Sequence, residues 1–127
     1  MAVLLHGAIT ERVICGFYNS HNAIGFGFPE SFCRNALGVE LQHLGVEFTR
    51  EVRTQILHRG VVIGNFRFDM VVAHKVLIEI KSAKALTDAD RRQIQSYLKS
   101  SPFDVGLLLN YGPTPTFERF VYTNDRK

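Results

Sequence analysis

Two stretches of alternating polarity, separated by three residues, constrain this chain most. From Asn65 to Val72 the residues Phe66, Phe68, Met70 and Val72 are apolar and out of step with Arg67 and Asp69, the period-two pattern of a half-buried strand. From Val76 to Lys81 the pattern returns: Val76, Ile78 and Ile80 form an apolar face, Glu79 and Lys81 fall on the other, and Leu77 is the exception. Ala73-His74-Lys75 is a tight connection without the Asn-Gly or Asp-Gly pair that most strongly marks a hairpin. A turn centred on His74 places Asp69 opposite Glu79, Arg67 opposite Lys81, Phe68 opposite Ile80 and Met70 opposite Ile78. A slip of one residue would reverse every side chain.

Directly opposed side chains have Cβ atoms roughly 4.5–5.5 Å apart, and like charges so placed are destabilising. Two facing carboxylates therefore need a partner. A divalent cation is the simplest one, since Asp and Glu oxygens are what Mg²⁺ and Mn²⁺ prefer. The ordinary structural reading is that Asp69, Glu79 and Lys81 are solvated charges on the outer face of two strands.

Size and composition set the frame. A chain of 127 residues is expected to form a single domain over 1–127 and to bury about two-thirds of its unfolded surface. A hydrophobic content of 46% with 21% charged residues excludes disordered and fibrous classes. The net charge of +3, from 15 basic and 12 acidic residues, is compatible with a phosphate-bearing partner without requiring one. Cys15 and Cys33 lack metal-ligand spacing and are expected to be buried thiols. The apolar run Ala2 to Leu5 has no basic segment before it, so no signal peptide is expected. No stretch approaches the roughly 20 apolar residues of a membrane span. A cytoplasmic protein without a membrane partner is the resulting expectation.

A helix is predicted from Thr10, as N-cap, to about Ile24, with Ile9, Val13, Ile14, Phe17 and Ile24 on one stripe and Gly25 as the stop. Pro29 suits the first turn of a second helix, which carries Phe32, Cys33, Ala36, Leu37, Leu41 and Leu44 and ends at Gly45. A strand follows from Val46 to Leu57, closed by His58-Arg59-Gly60, and then the hairpin. Thr87-Asp88-Ala89-Asp90 resembles a capping box opening a helix to about Lys99. Val105 to Leu109 reads as a buried strand and Glu118 to Tyr122 as a shorter edge strand. The order ααβββαββ predicts a mixed α/β or α+β fold with a central mixed sheet flanked by helices.

These residues resemble the GxxExxY proteins, a group within the PD-(D/E)XK nuclease superfamily, over about Ile9 to Tyr122. The segments Ile9-Thr10-Glu11 through His21-Asn22 and Gly25-Phe26-Gly27-Phe28-Pro29-Glu30 look like the N-terminal half of that family. Asp69 matches the superfamily's first strand acid and Glu79-Ile80-Lys81 its Glu-x-Lys. Gln93 and Tyr97 match the Gln-x-x-x-Tyr helix motif of the RecB-like and Cas4-like branch. Two departures stand out: Cys33 occupies the place of the family's Tyr, and Phe68 precedes Asp69 where the superfamily name has Pro.

The resemblance implies a restriction-endonuclease-like fold and metal-assisted hydrolysis of phosphodiester bonds, with DNA rather than RNA as the expected partner. Asp69, Glu79 and the main-chain carbonyl of Ile80 would hold Mg²⁺ or Mn²⁺, and Lys81 would position the attacking water and stabilise charge. Glu30 is either a further metal ligand or a carboxylate complementing the dipole of its helix. His21 is either an ordinary polar residue at a helix end or a supporting member of the site, and Arg67 would modulate Lys81. Gln93 and Tyr97, spaced i, i+4 and so on one helix face, would face substrate or support Lys81. The alternative is a non-catalytic nucleic-acid-binding or protein-interaction module that kept the fold. The sequence leaves open DNA versus RNA, endo- versus exonuclease action, and monomer versus homodimer.

Overall fold

The computed structural model describes residues 4–127. Its elements follow the expected order: α1 (Gly7–Ile24), α2 (Glu30–His43), β1 (Phe48–His58), β2 (Val61–Val72), β3 (Val76–Lys81), α3 (Asp88–Lys99), β4 (Val105–Tyr111) and β5 (Pro115–Val121), then a 3₁₀ turn at Asn124–Arg126. The five strands form one sheet in the order β1-β2-β3-β4-β5. Every neighbouring pair is antiparallel except β3 and β4. That parallel pair requires a crossover, and α3 supplies it. Among the described residues no helix is long and apolar enough to cross a membrane.

Local chemistry accounts for most element ends. Thr87 accepts the Asp90 N–H at 3.2 Å while Asp90 accepts the Thr87 N–H at 3.0 Å, so the capping box forms as read from the sequence. Gly25 stops α1 at φ 72, with its N–H on the His21 carbonyl. The start of α1 differs from expectation. Thr10 is not the N-cap: it lies a turn inside the helix, buried, with Oγ1 donating to the Gly7 carbonyl at 3.1 Å. Thr is a frequent cap because its hydroxyl serves local backbone, and the same property here serves the preceding turn.

Two apolar layers enclose the sheet. Val13 and Phe17 of α1 and Cys33, Leu37 and Leu41 of α2 pack with Met70, Val72, Ile78, Ile80, Leu107 and Leu109. Ile94 and Leu98 of α3 pack with Phe68, Val71, Leu77 and Leu108. Gly106 lets α3 approach β4 closely, since a Cβ there would meet the Ile94 Cδ1 at 3.1 Å and the Leu98 Cδ1 at 3.3 Å. Two expected core residues are not in the core: Phe32 is 55% exposed and Cys15 is exposed, whereas Cys33 is fully buried. Phe32 sits on the solvent side of α2, about 100° per residue away from the stripe through Cys33 and Leu37.

The strand pairing is uneven in a way that matters for the site. β1 and β2 pair from Phe48↔Val72 to His58↔Val61, whereas β2 and β3 pair only at Met70↔Ile78, Val71↔Leu77 and Val72↔Val76. The β1–β2 hairpin is thus a long ribbon rooted in the sheet, and β2 begins at Val61 rather than at Asn65. Its apolar start, Val61-Val62-Ile63, is exposed, so the alternation that marks a half-buried strand is lost there. Arg59 and Gly60 close the ribbon at φ 50 and 78. At its root the turn around His74 is tight as expected, with Ala73 and His74 at φ 52 and 55 and the Lys75 N–H donating to the Val72 carbonyl at 3.0 Å. Positive φ suits hairpin twist but usually calls for Gly or Asn. Glu47 helps hold it, taking the Ala73 N–H on its carbonyl at 2.7 Å and meeting the His74 ring at 3.1 Å.

Candidate active site

The site lies at the fork where β2 leaves β3. Beyond Met70↔Ile78 the backbone ladder stops, and two carboxylates take over its bonds. The Ile80 N–H donates to Asp69 Oδ2 at 2.7 Å, and the Asp69 N–H donates to Glu79 Oε1 at 3.3 Å. Asp69 and Glu79 therefore face each other across the hairpin, as the alternation implied. The next two expected pairs do not form. Phe68 pairs with Val52, not Ile80, and Arg67 pairs with Arg53, not Lys81. The cause is packing: Phe68 turns onto Tyr97 and Phe103 on the α3 side, adding to the ordinary strand twist and drawing the ribbon away from β3.

Burial separates the roles of the two acids. Glu79 is only 5% exposed. Burial first, and the Asp69 charge second, push its carboxyl up to about 8, against smaller opposing effects of the Asp69 N–H and Lys81. Asp69 is half-buried and has a cationic partner that sequence reasoning missed. Arg34 of α2 places Nη1 3.3 Å from Asp69 Oδ1 and Nη2 3.4 Å from Glu51 Oε1. The signal available was its spacing: Arg34 is i+4 from Glu30 and so shares that residue's helix face. Glu51 has φ 53 within β1, a conformation that costs a non-glycine residue energy and that clusters at functional sites.

Glu30 opens α2 close to the pair without a hydrogen bond to either acid. Burial raises its pKa most, Lys81 lowers it, and Asp69 and Asp90 raise it, so it lies within electrostatic reach of the site. Lys81 Nζ donates to Gln93 Oε1 at 3.2 Å and lies 3.9 Å from Asp90 Oδ1. Gln93 thus meets Lys81 directly. Tyr97, one turn on, stacks flat on Phe66 at 4.2 Å with its phenol pushed up by burial and then by the Glu79 and Asp69 charges.

Two expected supporting residues sit elsewhere. Arg67 pairs with Glu51 Oε2 at 3.6 Å and is half exposed. His21 Nε2 lies 2.7 Å from the Gly112 carbonyl, tying the end of α1 to the turn after β4 rather than to the acids. A further residue missed from sequence is Asn110. Nearly buried, its side chain takes the Ala83 N–H and donates to the Ala83 carbonyl, both at 3.0 Å, which fixes the chain just after Lys81.

Among the described residues no three His, Cys, Asp or Glu side chains converge as a ready cage for a metal ion. The donor chemistry nevertheless fits a hard divalent cation. Asp69 and Glu79 offer oxygen ligands only, and burial first, then the Asp69 charge, push the Glu79 carboxyl up to about 8. A cation between them would offset both the repulsion from Asp69 and the cost of burying a charge.

Residues 7–120 match the PD-(D/E)XK nuclease superfamily, and the chain belongs to it. Members of this superfamily are in general nucleases that use divalent metals. The crystal structure of SSO0001 has a similar fold, with a TM-score of 0.59 at 21% identity over 95% of this chain. This chain spans 61% of that one. Comparison with curated proteins gives no match.

Proposed function

We propose that this protein is a metal-dependent nuclease that hydrolyses phosphodiester bonds, with DNA as substrate, and that within its superfamily it is of the GxxExxY kind in the RecB-like and Cas4-like branch. One nuclease domain over 1–127 is part of the same reading. The observation that carries it is the fork, where the Asp69 and Glu79 carboxylates accept the main-chain N–H groups of Ile80 and Asp69 across two diverging strands, with Lys81 held beside them. Asp69, Glu79 and the Ile80 carbonyl would hold Mg²⁺ or Mn²⁺, with Glu30 as a further carboxylate. Such a cation supplies Lewis-acid polarisation of the phosphoryl group and acidifies water.

The chain's own residues supply the rest. Lys81 has the side-chain carbonyl oxygen of Gln93 on one side and Asp90 on the other, so its ammonium is fixed in direction. That arrangement suits stabilising negative charge on the phosphate and positioning water; it does not suit proton abstraction. Arg34, already bridging two carboxylates, balances the charge of Asp69.

The test is incubation of the purified protein with single-stranded, duplex and branched DNA and with RNA, each in Mg²⁺, Mn²⁺ or EDTA. Cleavage of DNA in either metal and none in EDTA is expected. Cleavage that persists in EDTA would sink the metal mechanism. No cleavage of any substrate would leave a non-catalytic binding module on a nuclease fold.

A further inference from the structure

Beyond the fork, β1 and β2 continue as a two-stranded ribbon with no strand of the described residues on either edge. From Arg67 to Val61 it extends about 20 Å at 3.4 Å per residue. Its two faces differ. Val52, Thr54, Ile56 and Phe66 are half-buried and Phe68 is buried, with Phe66 seated on Tyr97. The other face presents Arg53, Gln55, Asn65 and Arg67, all exposed.

Arg53 and Arg67 are directly opposed in register, and so are Gln55 and Asn65. Like charges facing each other across strands are destabilising. Arg67 has only a 3.6 Å contact with the exposed Glu51, and Arg53 has no ion pair among the described residues. A cleft of about 550 Å³ opens at this pair, lined by Arg53, Thr54, Gln55, Asn65, Phe66 and Arg67. Arg67 precedes Asp69 by two residues along β2, about 7 Å, so the paired guanidinium groups continue directly from the acidic site. His58 and Arg59 add basic groups at the far turn.

We propose that this ribbon grips a nucleic-acid duplex, with Arg53 and Arg67 on phosphates next to the one presented to the Asp69–Glu79 site. The proposal rests on the nuclease reading of that site and names its substrate class. Two arginines with one weak partner between them match a row of phosphates, and the amides of Gln55 and Asn65 beyond them can bond to backbone or base edges. The shape matches a duplex because a two-stranded β-ribbon is of the size that a major groove admits. A lone strand has no groove for it.

The experiment measures binding without chemistry: fluorescence anisotropy of a labelled DNA duplex of about 20 base pairs, and of one of its strands, in EDTA over a salt series. The wild type is expected to prefer the duplex. The double variant Arg53→Gln, Arg67→Gln should bind it at least tenfold more weakly near 0.1 M salt. Its slope of log affinity against log salt should fall by about 2, since each phosphate contact contributes about 0.9. Its melting temperature should equal or exceed that of the wild type, because the variant removes an opposed pair of like charges. An unchanged slope in the variant, or equal wild-type affinity for duplex and single strand, would overturn the proposal. So would sedimentation showing that the ribbon, with its exposed Leu57, Val61, Val62 and Ile63, pairs two copies of the chain instead. The two readings fail separately. Two lost phosphate contacts without cleavage in Mn²⁺ would refute only the nuclease, and cleavage with an unchanged slope would refute only the ribbon.

Discussion

Removing the buried carboxylate Glu79 should make the metal-free protein more stable at alkaline pH and leave it little changed in acid. Burial and the neighbouring Asp69 push the Glu79 carboxyl from the ordinary 4.5 to about 8. Between those values the folded state holds a proton that the unfolded chain has lost, so stability must fall as pH rises through that window. At 1.36 kcal/mol per pH unit the gap sets a ceiling of about 5 kcal/mol. Outward relaxation of the fork lets water reach the charge and lowers this, and a loss of about 2 kcal/mol would already shift the melting temperature by roughly 8 °C in a chain of this size. Glu79→Gln keeps an oxygen for the Asp69 N–H and carries no charge at any pH. Circular-dichroism melts of both proteins in EDTA at pH 5, 7 and 9 decide the matter, since every other titrating group is common to the two. The wild type should fall relative to the variant from pH 5 to pH 9. Mn²⁺ at pH 8 should then restore the wild type and do nothing for the variant. Parallel pH profiles, or a variant less stable than wild type at pH 9, would refute the account of Glu79 as a carboxylate waiting for positive charge.

Two further outcomes follow from the same geometry. Lys81→Ala should remove most cleavage while metal affinity by titration calorimetry stays near wild type, because an ammonium is not a cation ligand, and Gln93→Ala should lower cleavage less; equal loss of metal binding in Lys81→Ala and Glu79→Ala would refute the role of Lys81. Arg34→Met keeps the aliphatic stem but leaves Glu51 and Asp69 facing each other without their bridge, and urea unfolding should show a loss of about 2 kcal/mol; an unchanged midpoint would mean that the bridge contributes nothing.

The element order, the capping box at Thr87, the turn at His74 and the meeting of Asp69 with Glu79 were legible because each rests on local chemistry: alternation, a cap signature, a turn length. Register beyond Met70 was not, because it is set by Phe66 and Phe68 packing on Tyr97 and Phe103, contacts made across more than 25 residues of chain. Alternation fixes which residues share a strand face, but it says nothing about where two strands part. Arg67 was misplaced for that reason, and Arg34 went unseen because a single basic residue on a helix carries no sign of what its end will meet. Glu79 reads in sequence like any charged residue on an exposed strand face. Its burial is set by tertiary packing around the central strand β3, which has β2 and β4 as sheet neighbours.

At the fork, two amide protons of the sheet are held by ionisable side chains instead of by carbonyl groups. A carbonyl acceptor is the same at every pH and in every ligand state, so an ordinary ladder bond is a fixed part of the fold. The bonds at Asp69 and Ile80 have acceptors whose charge depends on protons and on cations. The last two links between β2 and β3 are therefore the part of this sheet whose strength depends on protons and cations.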